Sequence, residues 1–130
     1  MPKPRILFID DDRFIRAAFG RALRGEAYDI DVADSAKTAA DLVRQHTYAV
    51  IASDYRLADA NGLEVLRELR VLQPCSTLML VSGELDETLS AYASTDRITH
   101  IIGKPWDIVQ LRAHITDGIA AFERSAPREA

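Results

Sequence analysis

Apolar residues along this chain gather in short, nearly unbroken runs. Arg5-Ile6-Leu7-Phe8-Ile9, Ala49-Val50-Ile51-Ala52 and Thr77-Leu78-Met79-Leu80-Val81 have the pattern of strands covered on both faces. Tyr28-Asp29-Ile30-Asp31-Val32 alternates apolar with charged positions, as a strand does where one face meets solvent near a sheet edge. Ile98-Thr99-His100-Ile101-Ile102 is intermediate and is expected at the opposite edge. Between these runs the apolar period lengthens to that of a helix. Ile15, Ala18, Phe19, Ala22 and Leu23 form one stripe, and Ala39, Leu42 and Val43 form another, opened by Asp34-Ser35 as an N-cap. Val65, Leu66, Leu69 and Leu72 continue the series, followed near the end by Ile108, Leu111, Ile115, Ile119 and Phe122. Residues 85–94 carry the weakest helical pattern, because Ser, Thr and Asp dilute the spacing of Leu85, Leu89 and Tyr92.

Five strands alternating with five helices imply an α/β domain built on one open parallel sheet, since parallel neighbours need right-handed crossover helices that cover both faces. The expected strand order is 2-1-3-4-5. With 130 residues there is room for one core, assigned to residues 1–123, with 124–130 a polar tail or linker. In such sheets the site lies beyond the carboxyl ends of the strands, where the winding direction reverses beside the first strand.

Charge and composition narrow the partners. Sixteen Lys and Arg against twenty Asp and Glu give a net charge of −4, so no basic excess exists to compensate a nucleic-acid backbone or an anionic membrane surface. No apolar stretch approaches the roughly 18–20 residues needed to cross a bilayer, and Met1-Pro2-Lys3-Pro4 has no signal-peptide character, which makes a cytoplasmic location the expectation. Cys75 is the only cysteine, beside Pro74 in an expected loop, and reads as structural filler. His46, His100 and His114 fall in different elements without ligand spacing, and surface or helix-end positions are expected for them.

The chemistry sits at the strand ends. The first strand runs into Asp10-Asp11-Asp12, the third ends in Ser53-Asp54, the fourth in Ser82-Gly83 and the fifth in Gly103-Lys104-Pro105. Taken singly, each has a plain structural alternative: Asp10–Asp12 as helix caps, with Asp12 in that role in either case; Asp54 as a turn residue; Ser82 as a cap; Lys104 as a solvated surface residue. On the expected strand order all four groups converge on one rim. Carboxylates gathered there repel one another unless they share protons or hold a cation, and hard oxygen donors with an open position favour Mg²⁺. A lysine and a hydroxyl beside that cation suit a dianionic phosphoryl group, with a carboxylate as nucleophile.

Ile6-Leu7-Phe8-Ile9-Asp10-Asp11-Asp12, Ser53-Asp54-Tyr55, Asn61-Gly62-Leu63, Val81-Ser82-Gly83 and Lys104-Pro105-Trp106 together resemble the receiver domain of bacterial two-component response regulators. The resemblance runs from about residue 4 to about residue 123, and it implies a CheY-like, flavodoxin-like (βα)5 fold. It implies that Asp54 accepts a phosphoryl group from a phosphohistidine on a sensor kinase or a phosphotransfer protein. It further implies a Mg²⁺ site in which Asp11 binds the ion directly, Asp10 acts largely through water, the Arg56 backbone carbonyl is a further ligand, and Asp54 belongs to the same set. Ser82 matches the position whose hydroxyl meets a phosphoryl oxygen, Lys104 the position whose ammonium pairs with carboxylate and phosphate, and Lys104-Pro105 a peptide bond often cis in the family. Such a domain catalyses only its own phosphorylation and dephosphorylation and switches a partner or effector that the sequence does not name.

Three positions depart from the family pattern. Ile101 stands where an aromatic residue usually reports the switch together with Ser82, so a signal would pass through packing instead. Ala58 stands where proline is typical, leaving the loop after Asp54 less preset, and Asn61 stands where aspartate is common. The surface formed by the fourth helix, fifth strand and fifth helix often pairs copies or docks partners in the family, which nominates Leu89, Tyr92 and Trp106 for a homodimer or output interface. Two other readings remain. One is a phosphorylation-independent interaction module. The other is a haloacid-dehalogenase-type phosphatase using Asp10, disfavoured because so short a chain leaves no cap domain and gives Asp54 no role.

Overall fold

The computed structural model describes residues 3–83, 87–95 and 97–125. Its elements alternate as β1 (Arg5–Ile9), α1 (Arg13–Ala22), β2 (Asp29–Ala33), α2 (Ala36–Gln45), β3 (Val50–Asp54), α3 (Gly62–Leu72), β4 (Thr77–Ser82), α4 (Glu87–Thr95), β5 (His100–Gly103) and α5 (Ile108–Ser125). The five strands form one parallel sheet in the order β2-β1-β3-β4-β5. The apolar runs therefore lie at the centre, and the alternating and intermediate segments at the two edges, as their patterns imply.

Helix starts follow local chemistry. The Asp12 carboxylate accepts from the Phe14 N–H at 2.8 Å, Ser35 Oγ from the Thr38 N–H at 3.1 Å and the Asn61 side-chain oxygen from the Leu63 N–H at 2.8 Å. Each bond satisfies an amide that the helix itself leaves unpaired. Of the segment expected to be helical at 85–94, Leu85 lies outside the described residues; the helix is described from Glu87 to Thr95. β5 begins at His100 rather than Ile98, because the amides of Ile98 and Thr99 bond to Ala93 and Leu78 before strand pairing starts. α5 continues through Ser125, so Arg124 and Ser125 extend the helix beyond the boundary drawn at residue 123. Cys75 is half-buried, and its thiol reaches the Ser125 carbonyl at 3.5 Å.

Two apolar layers sandwich the sheet. One joins Leu7, Ile9, Ile51 and Leu80 to α2, α3 and α4 through Val43, Leu66, Leu69, Leu89 and Ala93. The other joins Ile6, Phe8, Val50 and Val81 to α1 and α5 through Phe19, Leu23, Leu111 and Ile115. In the second layer Phe8 stacks on Phe19 at 4.1 Å between centroids, and Trp106 meets both rings edge-on at 6.1 and 5.8 Å. Each fully buried ring of this kind contributes on the order of 1.5–3 kcal/mol, and the offset contacts add to it. This layer clamps the segment after β5 against the start of the sheet, so Lys104, just before that clamp, is held over the strand ends.

Candidate functional site

Strand register brings the acidic groups together. Ile9 pairs with Ser53, so the next residues, Asp10 and Asp54, emerge side by side at the carboxyl end of the sheet. Ser82 pairs with Gly103, and the Lys104 amide donates to the Ser82 carbonyl at 2.9 Å, which completes the rim. Lys104 Nζ lies 2.6 Å from Asp10 Oδ2 and 3.1 Å from Asp54 Oδ1. Oxygens of Asp10, Asp11 and Asp54 all fall within 4.8 Å of one another. The Lys104–Pro105 bond is cis.

Exposure separates the roles. The Asp10 side chain is 1% exposed and its other oxygen accepts from the Asp12 N–H at 2.9 Å, whereas the Asp54 side chain is 13% exposed. Asp54 is therefore the carboxylate of this pair that an incoming group can reach, and Asp11 is exposed. Burial pushes the Asp54 carboxyl above its ordinary range; Lys104 counteracts this, and the charges of Asp10 and Asp11 reinforce it. Burial works against the charge on Lys104, but its hydrogen bonds and charge pairing with Asp10 and Asp54 outweigh that cost and raise its pKa. Lys104 thus pairs with Asp10 and Asp54, and Asp11 adds a third carboxylate to the cluster. An excess of negative charge on hard oxygen donors, partly open to solvent, fits Mg²⁺.

Several partners were not visible in the one-dimensional pattern. Arg16, one turn into α1, donates to the Asp10 carbonyl at 2.8 Å and holds the β1–α1 loop. Ala58 donates its N–H to Asp11 Oδ2 at 2.8 Å, a bond that proline, expected here from the resemblance, cannot make. Its neighbour Asp59 accepts from the Ala36 N–H at the start of α2, at 3.2 Å through Oδ2. The departure at position 58 was the available signal, but its meaning needed the partner 47 residues away.

The residues nominated for an interface sit in different surroundings: Leu89 is 4% exposed inside the first apolar layer, Trp106 is half-buried against Phe8 and Phe19, and Tyr92 is 57% exposed. His46 caps the end of α2 as expected, but His100 and His114 form a ring pair with centroids 5.1 Å apart between β5 and α5. Ile101 is half-buried beside Leu80 and lines a cavity of about 250 Å³ with Trp106, Gln110 and His114. Arg56 sits on the loop after Asp54, bridged to Asn61, with its guanidinium 5.8 Å from the centroid of the Tyr55 ring.

The family model described as the response regulator receiver domain matches residues 6–116. This chain belongs to the response regulator receiver domain family. Receiver domains are signalling domains rather than enzymes acting on a separate substrate. Over 116 residues this one is 28% identical to the transcriptional regulatory protein ZraR of Escherichia coli, covering 88% of the chain but 26% of that protein. Over 126 residues it is 29% identical to the alginate biosynthesis transcriptional regulatory protein AlgB of Pseudomonas aeruginosa, covering 97% of the chain and 28% of that protein. The chain thus spans about a quarter of the length of these bacterial relatives. Its fold is shared with a CheY-like receiver domain protein from Methanospirillum hungatei, at a TM-score of 0.88 and 23% identity over 95% of this chain and 99% of that one. Among the described residues of this receiver domain, no helix is long and apolar enough to cross a membrane.

Proposed function

We propose that this receiver domain is a Mg²⁺-dependent phosphoacceptor in which Asp54 takes a phosphoryl group from a phosphohistidine of a sensor kinase or phosphotransfer protein. The observation that carries the reading is Lys104 Nζ lying between Asp10 and Asp54, with Asp11 on the same rim. An Asp54 oxygen attacks phosphorus as the phosphorus–nitrogen bond of the donor imidazole breaks, and the bond electrons leave with the imidazole. Lys104, already charged and 21% exposed, pairs with the negative oxygens that arrive on Asp54, at no cost in reorganisation. Asp10, Asp11, Asp54 and the Arg56 carbonyl would hold Mg²⁺, which supplies charge neutralisation to the phosphoryl oxygens when bound. Ser82, buried at the end of β4, closes the rim on the side of β5 and offers a hydroxyl to a phosphoryl oxygen. Attack of water on the phosphorus returns the Asp54 carboxylate and inorganic phosphate, which makes the switch self-resetting.

The nearly complete burial of Asp10 and its bond to Lys104 favour Asp54 over Asp10 as nucleophile. Because the relatives above are named as transcriptional regulators, we assign the work to the bacterial cytoplasm, with an effector as the listener. The test is incubation with Mg²⁺ and acetyl phosphate followed by intact mass. One added phosphoryl group, lost in Asp54→Asn, is expected. An unmodified chain, refractory also to a phosphohistidine donor, would leave a constitutive binding module.

A further inference from the structure

Asp11 is an exposed carboxylate on the loop after β1, and among the described residues the hydrogen bond that fixes it is the one from the Ala58 N–H to Oδ2, at 2.8 Å. An unpartnered surface carboxylate samples several rotamers, and a cation that recruits it must order it first. The donor here is itself held rigidly. Leu57 N–H bonds to the Ala60 carbonyl at 3.0 Å and Gly62 N–H to the Tyr55 carbonyl at 2.7 Å, while Arg56 bridges to Asn61. The next residue, Asp59, is anchored on the Ala36 amide at the start of α2. The loop therefore presents one backbone N–H toward Asp11 from a frame tied down on both sides.

Resting on the reading of the rim as a Mg²⁺ site, we propose that the Ala58 N–H is a positioning donor that turns Asp11 toward the cation. Mg²⁺ is met by a carboxylate through one oxygen, so a bond at Oδ2 leaves Oδ1 for the metal and removes the rotamer search from the cost of binding. Outer hydrogen-bond partners of metal-ligating side chains commonly account for 10–100-fold in affinity, by fixing the orientation of the ligand. Ala58 acts through its backbone, so side chains that keep the N–H are tolerated at this position and an imino acid is not.

The experiment is a Mg²⁺ titration of the whole chain by calorimetry, with unfolding midpoints recorded in metal-free buffer. Ala58→Gly, which keeps the N–H, is expected to bind within about twofold of the parent, and Ala58→Pro about tenfold more weakly. A semisynthetic chain with an ester in place of the amide at residue 58 loses the donor without gaining a ring. It is expected to match the proline variant, and it decides the matter if that variant unfolds. Mg²⁺ affinity unchanged in the ester chain overturns the positioning role alone. Absence of Mg²⁺ binding by the parent chain overturns the proposed function and this inference with it.

Discussion

Replacing Lys104 by methionine keeps the bulk of the side chain and removes the one ammonium that joins Asp10 to Asp54. Asp10 is 1% exposed, so its carboxylate is left buried with the Asp12 N–H as its remaining hydrogen-bond donor. Breaking a buried ion pair on one side costs roughly 3–5 kcal/mol, because the surviving charge stays desolvated. The partial openness of Lys104 and Asp54, 21% and 13% exposed, puts this site at the lower end, about 3 kcal/mol. With an unfolding entropy of about 2.1 cal/mol/K per residue over 130 residues, that corresponds to a fall in Tm of roughly 11 °C. The assay is urea and thermal unfolding in metal-free buffer, of parent, Lys104→Met, Asp10→Asn and the double variant. In the Asp10→Asn background the same replacement should cost only about 1 kcal/mol, since what remains is a 3.1 Å contact with the more open Asp54. A Lys104→Met protein within about 0.5 kcal/mol of the parent, or an equal cost in both backgrounds, refutes the view that Lys104 is held chiefly by Asp10.

Three further outcomes are expected. A Cβ at Gly62 would run into the backbone carbonyl of Asp54 and stand 3.0 Å from Tyr55 Cα, so Gly62→Ala should destabilise by about 2 kcal/mol and slow modification of Asp54, read by urea midpoint and acetyl-phosphate kinetics. Burial, then the facing ring of His114, lower the pKa of His100 below its ordinary 6.5, while Asp117 opposes them and Thr99 bonds Nδ1. Between the depressed folded value and 6.5 the unfolded chain binds the proton and the folded one does not, so stability is lost as pH falls through that window; His100→Gln should flatten the curve of urea midpoint against pH. Trp106→Ala should cost about 3 kcal/mol from its lost contacts with Phe8 and Phe19 and leave the sedimentation coefficient unchanged; a change of association state instead would return Trp106 to an interface role.

Much of the architecture was legible because its signals are local. The capping bonds of Asp12 and Ser35 span two or three residues, and the edge positions of β2 and β5 show in how each strand mixes apolar with polar residues. The rim was legible for a second reason: in a parallel sheet every strand end arrives at the same side, so Asp10, Asp54, Ser82 and Lys104 had to meet once the βα alternation was recognised. The burial of Leu89 and the half-burial of Trp106 against Phe8 and Phe19 were not legible, because an apolar residue type does not say whether core or surface receives it. The His100–His114 contact joins a strand to a helix, and no spacing announces it.

The sequence by itself determined the order of elements, their caps, and which residue types stand at the strand ends, because those depend on interactions within a few positions of the chain. The tertiary structure decided what those residues are to each other. The pairing of Ile9 with Ser53 sets Asp10 against Asp54, and the packing of Phe8, Phe19 and Trp106 holds the segment that delivers Lys104 to both. The amide of Ala58 reaches Asp11 only when β1 and β3 lie side by side. Charge balance, accessibility and ligand orientation at this rim are distances between residues far apart in the chain, and such distances exist only once the sheet has formed.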